Sequence, residues 1–378
     1  MPGILAEASR ITLASALIFH LGLSGCNAAD RPDQAERSST SSPVAGTAAL
    51  PISDPSANSG TVVLERANAF MAALSAEQRA SLLQPYTFAN AARWHTYPQW
   101  GLRGNQARIG LALGTLSAPQ WEAFNALLAA ATGSGRNEGF DEIQQHLAAD
   151  DWIRQNGGRS GYGRGAFYIA FLGEPSNTGL WQLQFGGHHL AVTNTYRDGF
   201  LVGATPSFRA IEPQTEIEFE GGTLRPQLDE WEAFVALLAS LTPEQVASAR
   251  LPRRQNALLL GPEASNKDWN FPDRAQGVPV SSLNDQQRAR LMRAISLYVN
   301  DISEPEAAAI LAHYESQLGS TYLAFSGSTS LTNEGDYVRI DGPSVWIELV
   351  MDPAYSTDRP HVHAVWRDKQ TDYGGTRR

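Results

Sequence analysis

Apolar positions 231, 234, 235, 237, 238 and 241 of the run Trp231–Leu241 recur at helical spacing and predict a helix with a broad core-facing stripe. Four helix starts share one signature: Leu74-Ser-Ala-Glu-Gln78, Leu116-Ser-Ala-Pro-Gln120, Leu241-Thr-Pro-Glu-Gln245 and Leu283-Asn-Asp-Gln-Gln287. In each, Ser, Thr or Asn is placed to cap the helix, and the Gln three residues on closes a capping box. The starts at 74 and 116 are 42 residues apart, as are those at 241 and 283, and the two pairs are offset by 167. Runs with the look of strands follow each pair. FYIAFLG (167 to 173), WQLQFGG (181 to 187), HHLAVTNTY (188 to 196) and FLVGATPSF (200 to 208) follow the first. TYLAFSG (321 to 327), YVRIDG (337 to 342), SVWIELV (344 to 350) and HVHAVWRD (361 to 368) follow the second. Breaks containing Gly, Pro or Asn separate them, as in antiparallel meanders. The pattern predicts an α+β fold of two similar helix-plus-meander repeats, residues 61–215 and 216–378, sharing one core.

The chain before these repeats follows a different pattern. Residues 11 to 23, ITLASALIFHLGL, form an apolar run too short for a permanent span but of signal-peptide length. The run ends in Leu23-Ser24-Gly25-Cys26, which resembles a bacterial lipobox. Residues 1–25 are therefore expected to be a lipoprotein signal, with Cys26 the lipidated amino terminus. Residues 26–60 then form a flexible tether rich in Ser, Ala, Pro and Asp. Asn27 follows the cysteine, so no Asp marks inner-membrane retention. The expected location is the cell envelope, on the outer membrane facing the periplasm in a Gram-negative organism.

Composition narrows the chemistry. Cys26 is the only cysteine, which excludes an internal disulfide and a thiolate-ligated metal in the mature body. A formal charge of −10 without a basic tract leaves a nucleic-acid role without its electrostatic driving force. No G-x-S-x-G elbow is present. The glycine-rich run 157 to 165 precedes a strand instead of following one, so it fits a mobile loop better than a dinucleotide site.

The histidines are the more informative residues. His146 and His313 lie in polar helical stretches and read as surface residues. Five others fall in Arg93-Trp94-His95, Gly186-Gly187-His188-His189 and His361-Val362-His363. Strand alternation puts His361 and His363 on one face, where both can reach a single ion. The same alternation sends His188 and His189 to opposite faces, so one of them is expected to join. Glu348, in mid-strand, is costly unless it ligates or pairs, with Arg339 or Arg367 as partners. Imidazole and carboxylate donors suit a divalent transition metal such as zinc, copper or iron.

Trp94-His95, the run Trp181…Phe185-Gly-Gly-His-His-Leu190, Thr205-Pro206 and His361-x-His363-x-Val-Trp-Arg-Asp368…Asp372-Tyr-Gly374 resemble an uncharacterised family, catalogued as domain of unknown function 3500. The resemblance covers roughly residues 61 to 375 and implies no established activity. It implies that the paired histidines belong to the family pattern. Two functions follow as expectations. The first is a membrane-tethered metalloenzyme, hydrolytic or oxidative, acting on a small or medium substrate. His361, His363 and either His188 or His189 would ligate its ion, and Glu348 or His95 would complete the shell or act as base. Arg367 would orient an anionic group, and Asp368 a ligating histidine. The second is a lipoprotein that binds a ligand or metal without catalysis.

Overall fold

The computed structural model describes residues 58–158, 160–263, 270–354 and 359–375. The expected signal, Cys26 and nearly all of the tether lie outside them. The first half runs α1 (Gly60–Ala73), α2 (Ala76–Leu82), β1 (Leu83–Gln84), α3 (Phe88–Ala91), β2 (Leu111–Ala112), α4 (Ala118–Ala131) and α5 (Gly139–Gln155). It continues with β3 (Tyr168–Leu172), β4 (Leu180–Gly187), β5 (Leu190–Arg197), β6 (Phe200–Gly203) and β7 (Ser207–Ala210). A ribbon, β8 (Ile217–Phe219) and β9 (Gly222–Leu224), leads into the second half. There follow α6 (Leu228–Ala239), α7 (Pro243–Ala249), β10 (Val278–Pro279), α8 (Asp285–Val299) and α9 (Glu304–Ser316). The last strands are β11 (Tyr322–Ser326), β12 (Tyr337–Asp341), β13 (Val345–Asp352) and β14 (His361–Asp368).

The fold is α+β, as the pattern predicts, and a single twelve-stranded sheet runs through both halves. Its main path is β1-β3-β4-β5-β7-β14-β13-β12-β11-β10, antiparallel except for the β1–β3 pair. The halves meet where β7 pairs with β14. One face buries the apolar sides of the helices against Phe185, Val192, Ile347, Leu349, Val362, Ala364 and Trp366. Loops cover the other face around Trp94, Phe208, Val365 and Tyr373.

All four predicted capping boxes form, at Ser75, Ser117, Thr242 and Asn284. Their closing glutamines also hydrogen-bond in pairs, Gln78 with Gln120 and Gln245 with Gln287, which ties α2 to α4 and α7 to α8. Gly110 and Gly277 hold the same position in their halves. Each has positive φ, and a side chain there would collide with the carbonyl of Ile169 or Leu323 on the adjacent strand.

Behind the centre of the sheet, Arg209 of β7 is buried between Glu142 of α5 (3.1 Å) and Asp301 (3.0 Å). Glu230 of α6 is buried beside them. One cation among three carboxylates leaves excess negative charge in a dry site. Burial first, then the charges of Glu142 and Asp301, push Glu230 well above its ordinary 4.5. Burial raises Asp301 from 3.8 to about 7, against the pull of Arg209. Folded protein therefore holds protons that the unfolded chain releases as pH rises from the ordinary carboxylate range toward neutrality. Stability from these groups is complete at the acid end of that window and lost toward its top. Glu230→Gln mimics the protonated acid, so thermal melts should find it close to wild type near pH 5 and more stable at pH 8. Parallel pH profiles for the two proteins would rule out a neutral Glu230.

Candidate metal centre

The histidine motifs converge because several strands end together near the middle of the sheet. Gly187 and Leu190 pair across the β4–β5 hairpin, so His188 and His189 form its two-residue loop. His189 takes φ 61°, a left-handed conformation in which a histidine is more often seen than most side chains, though still uncommon. Backbone bonds fix it there: its N–H donates to the Thr96 carbonyl (2.9 Å), and its carbonyl accepts from Ala210 N–H (2.9 Å). Ala210 ends β7 and lies opposite His363 of β14, and His361 lies opposite Asp352 at the end of β13. The hairpin tip, the end of β7 and the start of β14 thus present His189, His361 and His363 side by side.

One ring nitrogen from each of these three histidines lies within 4.8 Å of the other two. His361 Nε2 and His363 Nε2 are 3.0 Å apart. All three side chains are buried. Burial, reinforced by the neighbouring histidines, holds His189 and His363 well below the usual imidazole value. Burial likewise lowers His361 to about 4, although Glu212 opposes the shift. At neutral pH the rings are uncharged and offer lone pairs, the form in which imidazole binds a metal. Three such nitrogen donors within 4.8 Å of one another could hold a metal ion.

Two carboxylates approach the same point. Asp352 Oδ2 is 3.6 Å from His363 Nε2, and Glu212 lies next to the end of β7. Burial and the charges of Glu263, Glu334 and Glu212 raise Asp352 to about 7. His188 stacks on His189 with ring centres 3.7 Å apart, and its Nδ1 meets Asp150 Oδ1 of α5 at 2.7 Å. The other oxygen of Asp150 accepts from Gly163 N–H (2.6 Å). Arg108 is buried behind the hairpin and donates to the carbonyls of His95, Tyr97 and Gly187, which clamps the 95–97 segment to it. Burial brings Arg108 down to about 9, with Asp150 opposing. A cleft of about 160 Å³ opens over His188, His189 and His363, between Tyr97, Trp100, Tyr162, Glu212 and Asp352.

The profile of a family described as "Protein of unknown function (DUF3500)" matches residues 56–375. The chain belongs to this family. No curated protein and no solved structure matches the chain.

Within this DUF3500 chain, the remaining residues singled out in the sequence have other partners. His188 and His189 do not point to opposite faces, because they occupy a turn and strand alternation does not apply there. Glu348 is occupied by four donors: Leu259 N–H (2.6 Å), Leu260 N–H (2.9 Å), Tyr337 Oη (2.8 Å) and Trp346 Nε1 (2.7 Å). It holds a loop to the sheet instead of ligating, and Arg339 is its cross-strand neighbour. Arg367 is fully buried in an ion pair with Asp372 (2.6 Å). It also lies four residues beyond His363, about 13 Å along the strand. Asp368 is on the opposite face of β14 from the histidines and accepts from Tyr314 Oη (2.6 Å). His95 is buried outside the triad, with its Nδ1 accepting from Tyr97 N–H (3.3 Å). His146 is buried rather than exposed, bonded through Nδ1 to the Glu142 carbonyl (2.9 Å) and lowered to about 4 mainly by burial. His313 is half-buried against Ser344. The glycine-rich loop walls the cleft: it anchors Asp150 through Gly163 and sets Tyr162 edge-on to His188.

Asp150, Asp352, Glu212, Arg108 and the aromatic wall were not legible as site residues. Asp150 lies 38 positions from His188, with no local signal joining them.

Proposed function

We propose that the chain is a metal-dependent enzyme whose ion is held by His189, His361 and His363. The observation that carries this reading is three buried imidazoles whose nitrogens lie within 4.8 Å of one another, two of them, His189 and His363, lining an open cleft. Three neutral ligands leave the charge of a zinc ion undiminished, so it would polarise a bound water or carbonyl group. This favours hydrolysis, and copper or iron in the same ligand set would favour oxidation. A purely structural ion needs no access, and the cleft reaching His189 and His363 argues against that alternative.

Elemental analysis of protein purified without a polyhistidine tag tests the proposal. The expected result is one transition ion per chain, removed by a strong chelator and regained on adding zinc. Protein that neither carries nor takes up an ion would end the metalloenzyme reading.

The location is a proposal too. Leu23-Ser-Gly-Cys26 supports a lipid tether at Cys26 that holds the enzyme in the cell envelope. Cys26→Ser should then release the protein from the detergent-dependent fraction; unchanged membrane association would place the tether elsewhere. We further read residues 61–215 and 216–378 as two copies of one ancestral unit. The paired glutamines and the equivalent Gly110 and Gly277 support that reading.

A further inference from the structure

The cleft over the histidines has an unusual wall. Tyr97 and Trp100 are 44% and 40% exposed, among the few large hydrophobic side chains exposed in the described residues, and both line it. Tyr162 completes the wall, 6.2 Å from Trp100 and edge-on to it. Trp100 is held from behind by Gly161, where any Cβ would collide with the indole ring. The loop is thus shaped to present this tryptophan to the cleft. Aromatic rings exposed around a concavity mark a binding surface, and a flat ring placed against them gains ring–ring contact.

Size and charge define the occupant further. A cavity of about 150 Å³ takes one benzene, and this one measures about 160 Å³. Its enclosed part admits a single ring with a small substituent. Glu212 and Asp352 lie on the same lining, and among the described residues no Lys or Arg side chain does. An anionic ring substituent such as a carboxylate would face both acids. A neutral hydroxyl avoids that repulsion: its O–H can donate to a carboxylate while its oxygen lone pair faces the histidine triad. A hydroxyl also suits the open position of a bound ion.

We propose that the cleft binds a single-ring phenol, with the ring against Tyr97, Trp100 and Tyr162 and the hydroxyl toward the histidines. This inference names the ligand class for the metalloenzyme reading and rests on it for the hydroxyl's destination.

Calorimetric titration of the mature chain, metal-free and zinc-loaded, tests it with phenol, cyclohexanol and benzoate as probes. Phenol should bind, with cyclohexanol weaker by about tenfold, the upper end of what one ring–ring contact supplies. Benzoate should be weaker than phenol in the metal-free chain, where its carboxylate faces Glu212 and Asp352. Trp100→Ala should weaken phenol by a similar factor, about tenfold, and Trp100→Phe should restore most of it. Trp100 is exposed enough that neither variant should disturb folding. Equal affinity for phenol and cyclohexanol, tighter binding of benzoate by the metal-free chain, or indifference to Trp100→Ala would each overturn the proposal. The two readings fail separately. Zinc uptake without phenol binding sinks the ligand class and leaves the metal centre. Trp100-dependent phenol binding without zinc uptake upholds the cleft and removes the metal.

Discussion

His363→Ala should abolish tight zinc binding while the chain stays folded. The expectation rests on how few donors the centre has. Three nitrogens meet there, and removal of one leaves His189 and His361, too few to compete with water and buffer. The loss should exceed the roughly 10- to 100-fold typical of altering a residue outside the ligand set. His361→Ala and His189→Ala should behave alike. His188→Ala should cost less, because His188 stacks on the ligand and bonds Asp150 without belonging to the triad. Two measurements check this: zinc per chain after dialysis, and competition against a chromophoric chelator. A third is the melting temperature. Zinc at 100 times its dissociation constant should stabilise wild type by about 2.7 kcal/mol, and the three triad variants not at all. Because His363 is buried, His363→Gln offers a closer fit should the alanine variant fold poorly. Wild-type zinc content in folded triad variants would remove the ion from this site.

Part of this centre was legible in the chain. Alternation along a strand is local, so His361 and His363 could be assigned one face from their spacing alone. Helix caps are equally local, and the four boxes form where the pattern put them. What alternation could not supply was the limit of its own reach. Treating His188 and His189 as strand residues split them between faces, whereas the strand had already ended at Gly187. Glu348 exposes a different gap. A carboxylate buried in a strand must ligate or be satisfied, and two of the four groups that satisfy it lie 88 and 89 positions away, in a loop without a pattern of its own. The aromatic wall draws on two loops some 60 residues apart, about sites 100 and 162, which meet only once the sheet has formed.

Glu348→Ala should be among the most destabilising single changes in the chain and should leave zinc stoichiometry alone. The carboxylate is fully buried and accepts from two backbone N–H groups, a tyrosine hydroxyl and an indole N–H. Alanine would strand all four donors away from water, and each unsatisfied buried group costs about 1–3 kcal/mol. Some donors will find water in the space left behind, so the net loss should be roughly 3–5 kcal/mol, the range for breaking a buried charged network. Arg339, opposite Glu348 on β12, adds to the cost, because its guanidinium loses the neighbouring negative charge. Glu348→Gln keeps one acceptor oxygen but turns an amide toward donors, and should fall between alanine and wild type. Chemical denaturation gives the stability, and zinc analysis of the folded fraction gives the site. A glutamine variant that keeps wild-type stability yet fails to hold zinc would mean that Glu348 serves the ion, and that the four hydrogen bonds are secondary to that task.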